Sequence, residues 1–272
     1  MGDRTVVVTV VHGRHDHLAR QRELLAAGRA RPEAHVVVRM DDDVESALPG
    51  GVETTWVDVP ADPGGLPLAA ARNAGAREAL RLRADLLLFL DVDCLPGTDL
   101  VGTYQAAAEV APDAVLCGPV TYLPPPPPGG YDLASLHAAV DPHPARPVPV
   151  PGDVRRSADH ELFWSLSFAT TPATWERCGG FDEAYVGYGG EDTDFGQRAR
   201  AAGVDLAWVG GAHAFHQHHP VSRPPIEHVA DIVRNGALFH ARWGWWPMQG
   251  WLSEMEALGL VRRDAAGWVL AG

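Results

Sequence analysis

A short apolar run that ends in an acidic triplet is the feature that most constrains the fold. Residues 86–90 read Leu-Leu-Leu-Phe-Leu, and Asp91-Val92-Asp93 follows directly. A run of this length without a polar break predicts a β-strand that is buried on both faces of a sheet. Open α/β sheets bind ligands in the loops that leave the carboxyl ends of such strands. Two carboxylates in that loop can offer oxygen ligands to a hard divalent cation, so the sequence predicts a cation site there.

The spacing of apolar residues predicts that strands and helices alternate along the first third of the chain. The predicted strands there are residues 5–11, 35–40, 54–59 and 85–90. The predicted helices there are residues 15–27 and 68–82. Farther along, we predict strands at 115–120, 163–169 and 206–209, and helices at 172–178 and 191–202. This alternation indicates an α/β fold with a mostly parallel central sheet flanked by helices.

Two proline-rich stretches interrupt this pattern between residues 124 and 151. Stiff polyproline pieces favour loops and short elements over a separate domain. We therefore predict one domain over residues 1–225, in which a linker at 124–151 joins a first half (about 1–123) to a second half (about 152–225). Residues 226–272 are predicted to form a helical extension that packs on the same domain.

The composition of the chain excludes several classes of partner. Its formal net charge of −13 argues against nucleic acid or an anionic membrane surface as the main partner. All 22 basic residues are arginine, which excludes any mechanism that needs a lysine amine. Three widely spaced cysteines favour a reducing compartment over a disulfide framework. Without a signal-peptide pattern or a sufficiently long apolar stretch, the sequence predicts a cytoplasmic protein with no membrane span.

A second acidic segment, Gly189-Gly190-Glu191-Asp192-Thr193-Asp194, is predicted to begin a helix. Acidic side chains in a first helical turn complement the helix dipole and cap free backbone amides, which is the simplest explanation for them. Capping needs only one acid, however, and two consecutive glycines allow another molecule to approach the backbone closely. The segment is therefore a candidate site as well as a candidate cap.

Four histidines lie within seven residues, at positions 213, 216, 218 and 219. Imidazole nitrogens are common metal ligands, so the segment is a candidate metal site. A structural zinc site is not expected, because no cysteine pair or HExxH pattern accompanies the histidines. At least two of the four are expected to be ordinary loop residues.

Residues 178–203 resemble a known signature. They contain Gly-Gly-Phe-Asp-Glu at 179–183 and Tyr-Gly-Gly-Glu-Asp-Thr-Asp at 188–194. This pattern resembles the GGFDE and (W/Y)GGED-D motifs of metal-dependent glycosyltransferases with the GT-A fold. Glycosyltransferase family 2 and the galactosyltransferase C-terminal region are the most similar by motif. The resemblance implies a Rossmann-like, nucleotide-sugar-binding GT-A domain, with its donor half first and its acceptor half second.

The resemblance also implies a metal site. Asp91-Val92-Asp93 stands where those enzymes carry their DXD motif, which assigns Asp93 to the metal and Asp91 to the metal or the nucleotide ribose. His216 resembles the histidine that completes the site, with His213 and His218 as alternatives. The implied ion is Mn²⁺ or Mg²⁺. A divalent ion suits this chemistry, because it neutralises the charge that builds up on a departing nucleotide diphosphate.

By the same resemblance, Asp192 corresponds to the catalytic base and Glu191 to an acid that binds acceptor or sugar hydroxyls. A carboxylate across the sugar ring must take the proton of the acceptor hydroxyl as that oxygen attacks, and attack from the back inverts the anomeric centre. Trp164, Tyr188 and Gly190 are the candidate acceptor-binding residues. Tyr188 departs from the tryptophan that often precedes the Gly-Gly pair, which leaves the sugar and acceptor contacts open.

Several further positions resemble residues that contact the donor in the family. They are His12 and Arg14 after the first strand, Asp41 and Asp42 after the second, Arg72 in an Ala-Arg-Asn-x-Gly helix, and Asp91 and Val92. The alternative for Arg72 is an ordinary helix arginine whose side chain is solvated and contacts no donor. The proline-rich segments are expected to form a lid over the donor.

The predicted function is therefore an inverting, metal-dependent transfer of a sugar from a nucleotide diphosphate sugar, with UDP-sugar favoured. The acceptor would be a small molecule or a glycan. Two alternatives remain from the sequence: a non-catalytic carbohydrate- or nucleotide-sugar-binding module of the same fold, and a nucleotidyltransferase. A dehalogenase-type phosphatase is excluded because it needs a lysine, which the chain lacks.

Overall fold

The computed structural model describes residues 4–43, 51–265 and 267–272. The predicted domain limits also include residues 1–3, 44–50 and 266, which lie outside the described residues. The strands are β1 (Thr5–Val11), β2 (Ala34–Met40), β3 (Thr54–Val59), β4 (Leu86–Leu90), β5 (Cys94–Pro96), β6 (Val115–Cys117), β7 (Val120–Tyr122), β8 (Val154–Ser157), β9 (Ser167–Thr170), β10 (Leu206–Val209), β11 (Ala214–His216), β12 (Val261–Asp264) and β13 (Gly267–Leu270). The α-helices are α1 (His15–Ala27), α2 (Leu68–Arg81), α3 (Leu100–Val110), α4 (Pro172–Cys178), α5 (Glu191–Ala201), α6 (Val229–Trp243) and α7 (Gln249–Ala257).

An eight-stranded sheet forms the centre of the molecule, in the order β3-β2-β1-β4-β9-β6-β10-β8. The strands β9 and β8 run antiparallel to their neighbours, and the other six share one direction. The prediction of a mostly parallel sheet with helices on its faces is confirmed. All residues of β1 and β4 are buried, as expected for a β-branched run and an unbroken apolar run in the middle of a sheet.

Helix α2 packs directly on the parallel half of the sheet through a face of small residues. A Cβ atom at Gly75 would lie 2.3 Å from Val8 Cγ1, so only glycine allows the helix to approach β1 this closely. The alanines at positions 69, 71, 76 and 79 are also buried against the sheet. This close approach brings Arg72, on the same helix, to the carboxyl end of β4.

A small second sheet, in the order β5-β11-β7, closes the carboxyl edge of the central sheet. Its antiparallel pair sets Cys94 opposite His216. The acidic triplet after β4 and the histidine segment after β10 therefore meet at one place. The sequence did not predict β5 or β11, because strands of three residues are too short to show periodicity.

The structure corrects several predicted elements. The predicted strand at 115–120 is two strands in different sheets, because Gly118-Pro119 breaks it. The predicted strand at 163–169 begins only at Ser167, and Trp164 lies in the loop before it. Helix α3 and strand β8 were not predicted. The proline-rich linker contains a 3₁₀ helix, Leu133–Ala139.

The C-terminal extension is helical only in part. After α6 and α7 it ends in an antiparallel hairpin of β12 and β13, which corrects the prediction of a wholly helical segment. A small apolar core of Ile232, Leu252, Met255 and Trp268 holds these elements together, and Trp246 and Trp251 pack against it. Among the described helices, none has the length and apolar character needed to cross a bilayer. The three cysteines are buried and free.

Candidate active site

The turn that carries the acidic triplet is held in place from below by Gln21 of α1. Its side-chain amide donates hydrogen bonds to the carbonyl oxygens of Asp91 (2.8 Å) and Cys94 (2.9 Å), and its own oxygen accepts one from the Thr9 hydroxyl (2.9 Å). The Cys94 amide also donates to the Asp91 carbonyl at 2.8 Å, which closes the turn. With its backbone fixed in this way, the turn presents two carboxylates at the carboxyl edge of the sheet.

Asp93 lies at the centre of a group of potential metal ligands. Its carboxylate oxygen Oδ2 is 3.5 Å from Nε2 of His216 and 3.6 Å from Nε2 of His219. All three ligand atoms lie within 4.8 Å of one another. A carboxylate with two imidazoles suits a borderline ion such as Mn²⁺, which accepts both oxygen and nitrogen ligands. Burial lowers the pKa of His216, and Asp93 opposes that shift, so the imidazole is available as a neutral ligand.

The four histidines divide into two that lie near Asp93 and two that do not. The structure brings the predicted His216 to Asp93, together with His219, which was not selected from the sequence. His213 instead hydrogen-bonds the Thr121 hydroxyl at 2.7 Å, and burial lowers its pKa to about 4. His218 is exposed. The three-residue spacing of His216 and His219 is the only hint in the sequence that these two act together. It identifies the pair only when the path of the chain after β11 is known.

Arg14 also contacts Asp93, through an ion pair between the guanidinium and Oδ2. It lies just before α1, in a left-handed conformation with φ 53°. This backbone geometry turns its side chain back across the loop that follows β1 and toward the metal ligands. The Arg14 guanidinium thus places a positive charge beside the potential metal ligand Asp93.

Arg72 connects the two acidic segments. Its guanidinium, which is buried, lies 3.2 Å from Asp91, 3.5 Å from Glu191 and 3.9 Å from Asp192. Burial by itself lowers the pKa of Arg72, but the attraction of these carboxylates outweighs burial and raises the pKa overall. The alternative of a solvated helix arginine is wrong, since the side chain is 5% exposed and faces the site.

Two of the carboxyl groups around Arg72 have raised pKa values. Burial raises the pKa of Asp91 to about 6, with Arg72 opposing the shift. Burial, followed by repulsion from Asp192, raises the pKa of Glu191 to about 7. Carboxyl groups that titrate near neutrality in a cleft are typical of functional sites. The positive charge of Arg72 thus offsets only part of the negative charge of Asp91, Glu191 and Asp192.

Asp192 is more open than its neighbour Glu191. One carboxylate oxygen accepts a hydrogen bond from the Ser165 amide at 2.9 Å, which orients the side chain. The other oxygen, Oδ1, is buried 3.9 Å from the Arg72 guanidinium and has no hydrogen-bond partner among the described residues. A backbone amide thus fixes one oxygen of Asp192, and Arg72 is the nearest charged group to the other.

The third acid of this helix has a structural role. Asp194 is 0% exposed, and its Oδ1 accepts hydrogen bonds from Arg242 (2.8 Å), the Trp243 indole (2.8 Å) and the Tyr185 hydroxyl (3.3 Å). Since Arg242 and Trp243 belong to the last turn of α6, Asp194 anchors the C-terminal extension to α5. Helix capping alone therefore does not explain Asp194, because two of its hydrogen-bond partners lie in α6, far away in the sequence.

Helix α6 also holds the loop that precedes Glu191. The Asn235 amide donates to the carbonyl oxygens of Gly189 (2.8 Å) and Val186 (3.0 Å). The Asp231 carboxylate accepts a hydrogen bond from the Tyr188 amide at 3.1 Å. Because these contacts cross more than 40 positions of sequence, no local pattern in the sequence could have identified them.

The predicted donor-binding residues lie around the carboxyl ends of β1 and β2. His12 hydrogen-bonds the Met40 carbonyl at 2.7 Å, and Asp42 contacts His15 at 2.7 Å, so these two loops lie side by side. Asp41 is exposed at the same edge. Val92 differs from the others, because its side chain is buried with Val11, Leu18, Val37 and Trp56, which leaves only its backbone to a ligand.

The candidate acceptor residues flank Asp192 on two sides. Trp164 is half-buried beside Ser165, and Tyr188 stacks on His228 with ring centres 4.5 Å apart. Gly190 has φ 93°, and a Cβ atom there would lie 3.1 Å from the Tyr185 ring, so glycine is required at this position.

Comparisons with known proteins agree on one kind of enzyme. A family model described as the N-terminal domain of galactosyltransferase matches residues 154–223. Validoxylamine A glucosyltransferase of Streptomyces hygroscopicus subsp. jinggangensis (strain 5008) is 34% identical over 167 residues, covering 52% of this chain and 37% of the relative. Chondroitin synthase of Pasteurella multocida (strain Pm70) is 26% identical over 183 residues, covering 57% of this chain and 18% of the relative. The chain thus spans well under half the length of either relative.

Solved structures resemble the whole fold. S. aureus TarS 1-349 in complex with UDP superposes with a TM-score of 0.58 at 12% identity, covering 94% of this chain and 71% of that chain. GalNAc-T7 with UDP, GalNAc and Mn²⁺ superposes with a TM-score of 0.56 at 16% identity, covering 88% and 50%. At these identities the similarity shows a shared fold.

Proposed function

We propose that this chain, which shares its fold and part of its sequence with GT-A glycosyltransferases, moves a sugar from a UDP-sugar to an acceptor hydroxyl with the help of a divalent metal ion. The expectation of a glycosyltransferase with the GT-A fold is confirmed by the matched family and relatives. The observation that carries the finer proposal is the meeting of Asp93, His216 and His219 beside the carboxylates of α5.

Asp93, His216 and His219 would hold the ion, and Mn²⁺ fits this donor set best. When bound, such an ion neutralises the negative charge of the diphosphate leaving group. The Mn²⁺ in the GalNAc-T7 structure supports this choice. Arg14, next to Asp93, would bind the same diphosphate from the side of β1.

Asp192 is the proposed general base. The Ser165 amide orients its side chain, which is 27% exposed, and the carboxylate would accept the proton of the acceptor hydroxyl. Glu191 and Asp91 share Arg72 behind it, which keeps both side chains in place. If Asp192 takes the acceptor proton while the acceptor oxygen displaces the diphosphate from the opposite face of the sugar, the transfer inverts the anomeric centre.

A donor screen tests the proposal. Purified protein is incubated with a panel of UDP- and other nucleotide-sugars in Mn²⁺, and the release of nucleotide diphosphate is measured. Turnover of a UDP-sugar that EDTA abolishes and Mn²⁺ restores is the expected result, and turnover that resists chelation would remove the metal from the proposal.

Two substitutions separate the proposed roles. Asp93→Ala should abolish donor turnover and weaken Mn²⁺-dependent UDP binding. Asp192→Asn should keep UDP binding and lose transfer by about 100-fold or more, as expected for loss of a general base. The exposed Asp153→Asn is the matched control. Transfer at the native rate by the Asp192 variant would refute its assignment as the base.

A further inference from the structure

Arg146 is a buried cation for which the described residues supply no oxygen acceptor, although the Cys117 thiol, a weak acceptor, lies close enough to interact with it. The residue is 5% exposed, and its three guanidinium nitrogens are buried with no hydrogen-bond partner among the described residues. Its guanidinium carbon lies 5.2 Å from the ring centre of Trp164 and 4.8 Å from that of Trp208. The two indoles attract the cation through their π faces, but they do not accept its N–H groups as a carboxylate would.

This arrangement is costly unless something else supplies acceptor atoms. A guanidinium keeps its charge in proteins, and burying an unpaired charge costs several kcal/mol. Cation–π contacts recover about 2 kcal/mol when desolvated. Trp208 adds a further unsatisfied donor, because its indole N–H is also buried without a hydrogen-bond partner among the described residues. The buried N–H donors of Arg146 and Trp208 therefore have only the Cys117 sulfur, a weak acceptor, beside them.

Arg146 lies on the acceptor side of the proposed catalytic centre. Trp164, which it contacts, precedes Ser165, whose amide orients the proposed base Asp192. A row of rings also leads from this place to the metal ligands. Trp164 contacts His143 (5.0 Å), His143 contacts Tyr122 (5.9 Å), and Tyr122 contacts His216 (4.8 Å).

We propose that Arg146 binds the carboxylate of an acidic acceptor, so that the acceptor is a sugar acid or a glycan that contains one. This inference rests on the proposed glycosyl transfer and names its acceptor class. A planar carboxylate matches the two parallel N–H donors of a guanidinium. A flat ligand group also suits a cation whose surroundings are two flat indole rings, whereas a tetrahedral phosphate fills such a space less well.

The segment that carries Arg146 is anchored at both ends and free of regular structure between them. At one end the His143 amide donates to the Val120 carbonyl at 3.1 Å. At the other end the Gly152 amide donates to the Gly210 carbonyl at 3.1 Å. Val148, between the anchors, is 48% exposed. Since the guanidinium is covered in this structure, an acceptor reaches it when residues 144–149 move while both anchors hold.

A binding experiment tests this without any turnover. Methyl β-glucuronide carries a carboxylate where methyl β-glucoside carries a hydroxymethyl group. Each is titrated into the protein, and binding is measured by calorimetry. The glucuronide should bind at least about 10-fold more tightly, and Arg146→Met should abolish that preference. Arg155→Met, at an exposed position of β8, should retain it. Thermal unfolding of each variant confirms that it is folded.

Three results would overturn the proposal: equal binding of the two glycosides by the native protein, a preference that survives in Arg146→Met, or tighter binding of glucose 6-phosphate than of the glucuronide. Transfer to p-nitrophenyl β-glucuronide and β-glucoside then tests the acceptor role. If the native protein binds the glucuronide selectively but turns over no nucleotide-sugar, the proposed function is refuted and the proposed carboxylate site at Arg146 is supported. If the native protein turns over a nucleotide-sugar but shows no preference for the glucuronide, the carboxylate site is refuted and the proposed function is supported.

Discussion

The side-chain amide of Asn235, in the C-terminal extension, donates a hydrogen bond of 2.8 Å to the carbonyl oxygen of Gly189, two residues before Glu191. The same amide reaches the carbonyls of Val186 (3.0 Å) and Tyr188 (3.3 Å). One side chain from outside the predicted GT-A domain thus fixes the loop that leads into the acidic helix.

Replacing this amide should disturb catalysis more than donor binding. Asn235→Ala removes the two N–H donors that these three carbonyls share, each worth about 1 kcal/mol net, and leaves half-buried carbonyls without this partner. We expect kcat to fall about 10-fold or more with little change in the Kd for UDP, measured by steady-state kinetics and by titration. Asn235→Asp, which cannot donate, should behave similarly. A parallel loss of UDP affinity and kcat would argue for a general loss of structure instead.

The metal site should depend on His219 and not on His218. His219→Ala removes a nitrogen 3.6 Å from Asp93, and we expect Mn²⁺ affinity to fall by roughly 10-fold or more. His218→Ala, at the adjacent exposed position, is the matched control and should keep native affinity. Mn²⁺ binding is measured by calorimetry or by electron paramagnetic resonance of the free ion. Equal loss in both variants would contradict the assignment.

The raised pKa of Glu191 predicts a pH-dependent stability. Its ordinary pKa is 4.5, and burial raises it to about 7 in the folded protein. Between these values the folded protein keeps a proton that the unfolded chain releases, so the free energy of unfolding falls as pH rises. Glu191→Gln should therefore lessen the fall in Tm between pH 5 and pH 8, measured in chelated buffer. The exposed Glu176→Gln should leave the slope unchanged, and an unchanged slope in Glu191→Gln would contradict the raised pKa.

The contact between α6 and α5 should matter for stability. Arg242→Met leaves Asp194, which is 0% exposed, without its cationic partner, and losing a hydrogen bond to a charged group costs about 2 kcal/mol. Urea unfolding should show this loss. Arg200→Met, at an exposed position of α5, should change the free energy of unfolding by less than about 0.5 kcal/mol. A similar small effect at Arg242 would show that the extension is not anchored through Asp194.

The fold was predictable where a pattern is long and local. The apolar runs of β1 and β4 predicted a buried sheet, and the spacing in α1 and α2 predicted the helices on its faces. Short strands such as β5 and β11 escaped prediction, because three residues carry too little periodicity to read. The predicted strand at 115–120 was wrong because Gly118-Pro119 divides two apolar pieces that pair with different partners.

The sequence by itself determined the residue types of the site: carboxylates after a buried strand, acids at a glycine-led helix start, and a histidine-rich segment. Only the tertiary structure decided which of them meet. The pairing of Cys94 with His216 brings two histidines to Asp93, and the close approach of α2 to β1 brings Arg72 to three carboxylates. The same is true of Arg146, whose missing partners become visible only when its neighbours are in place. The physical reason is that metal binding and charge pairing act over a few ångströms of space, whereas a sequence records only distance along the chain.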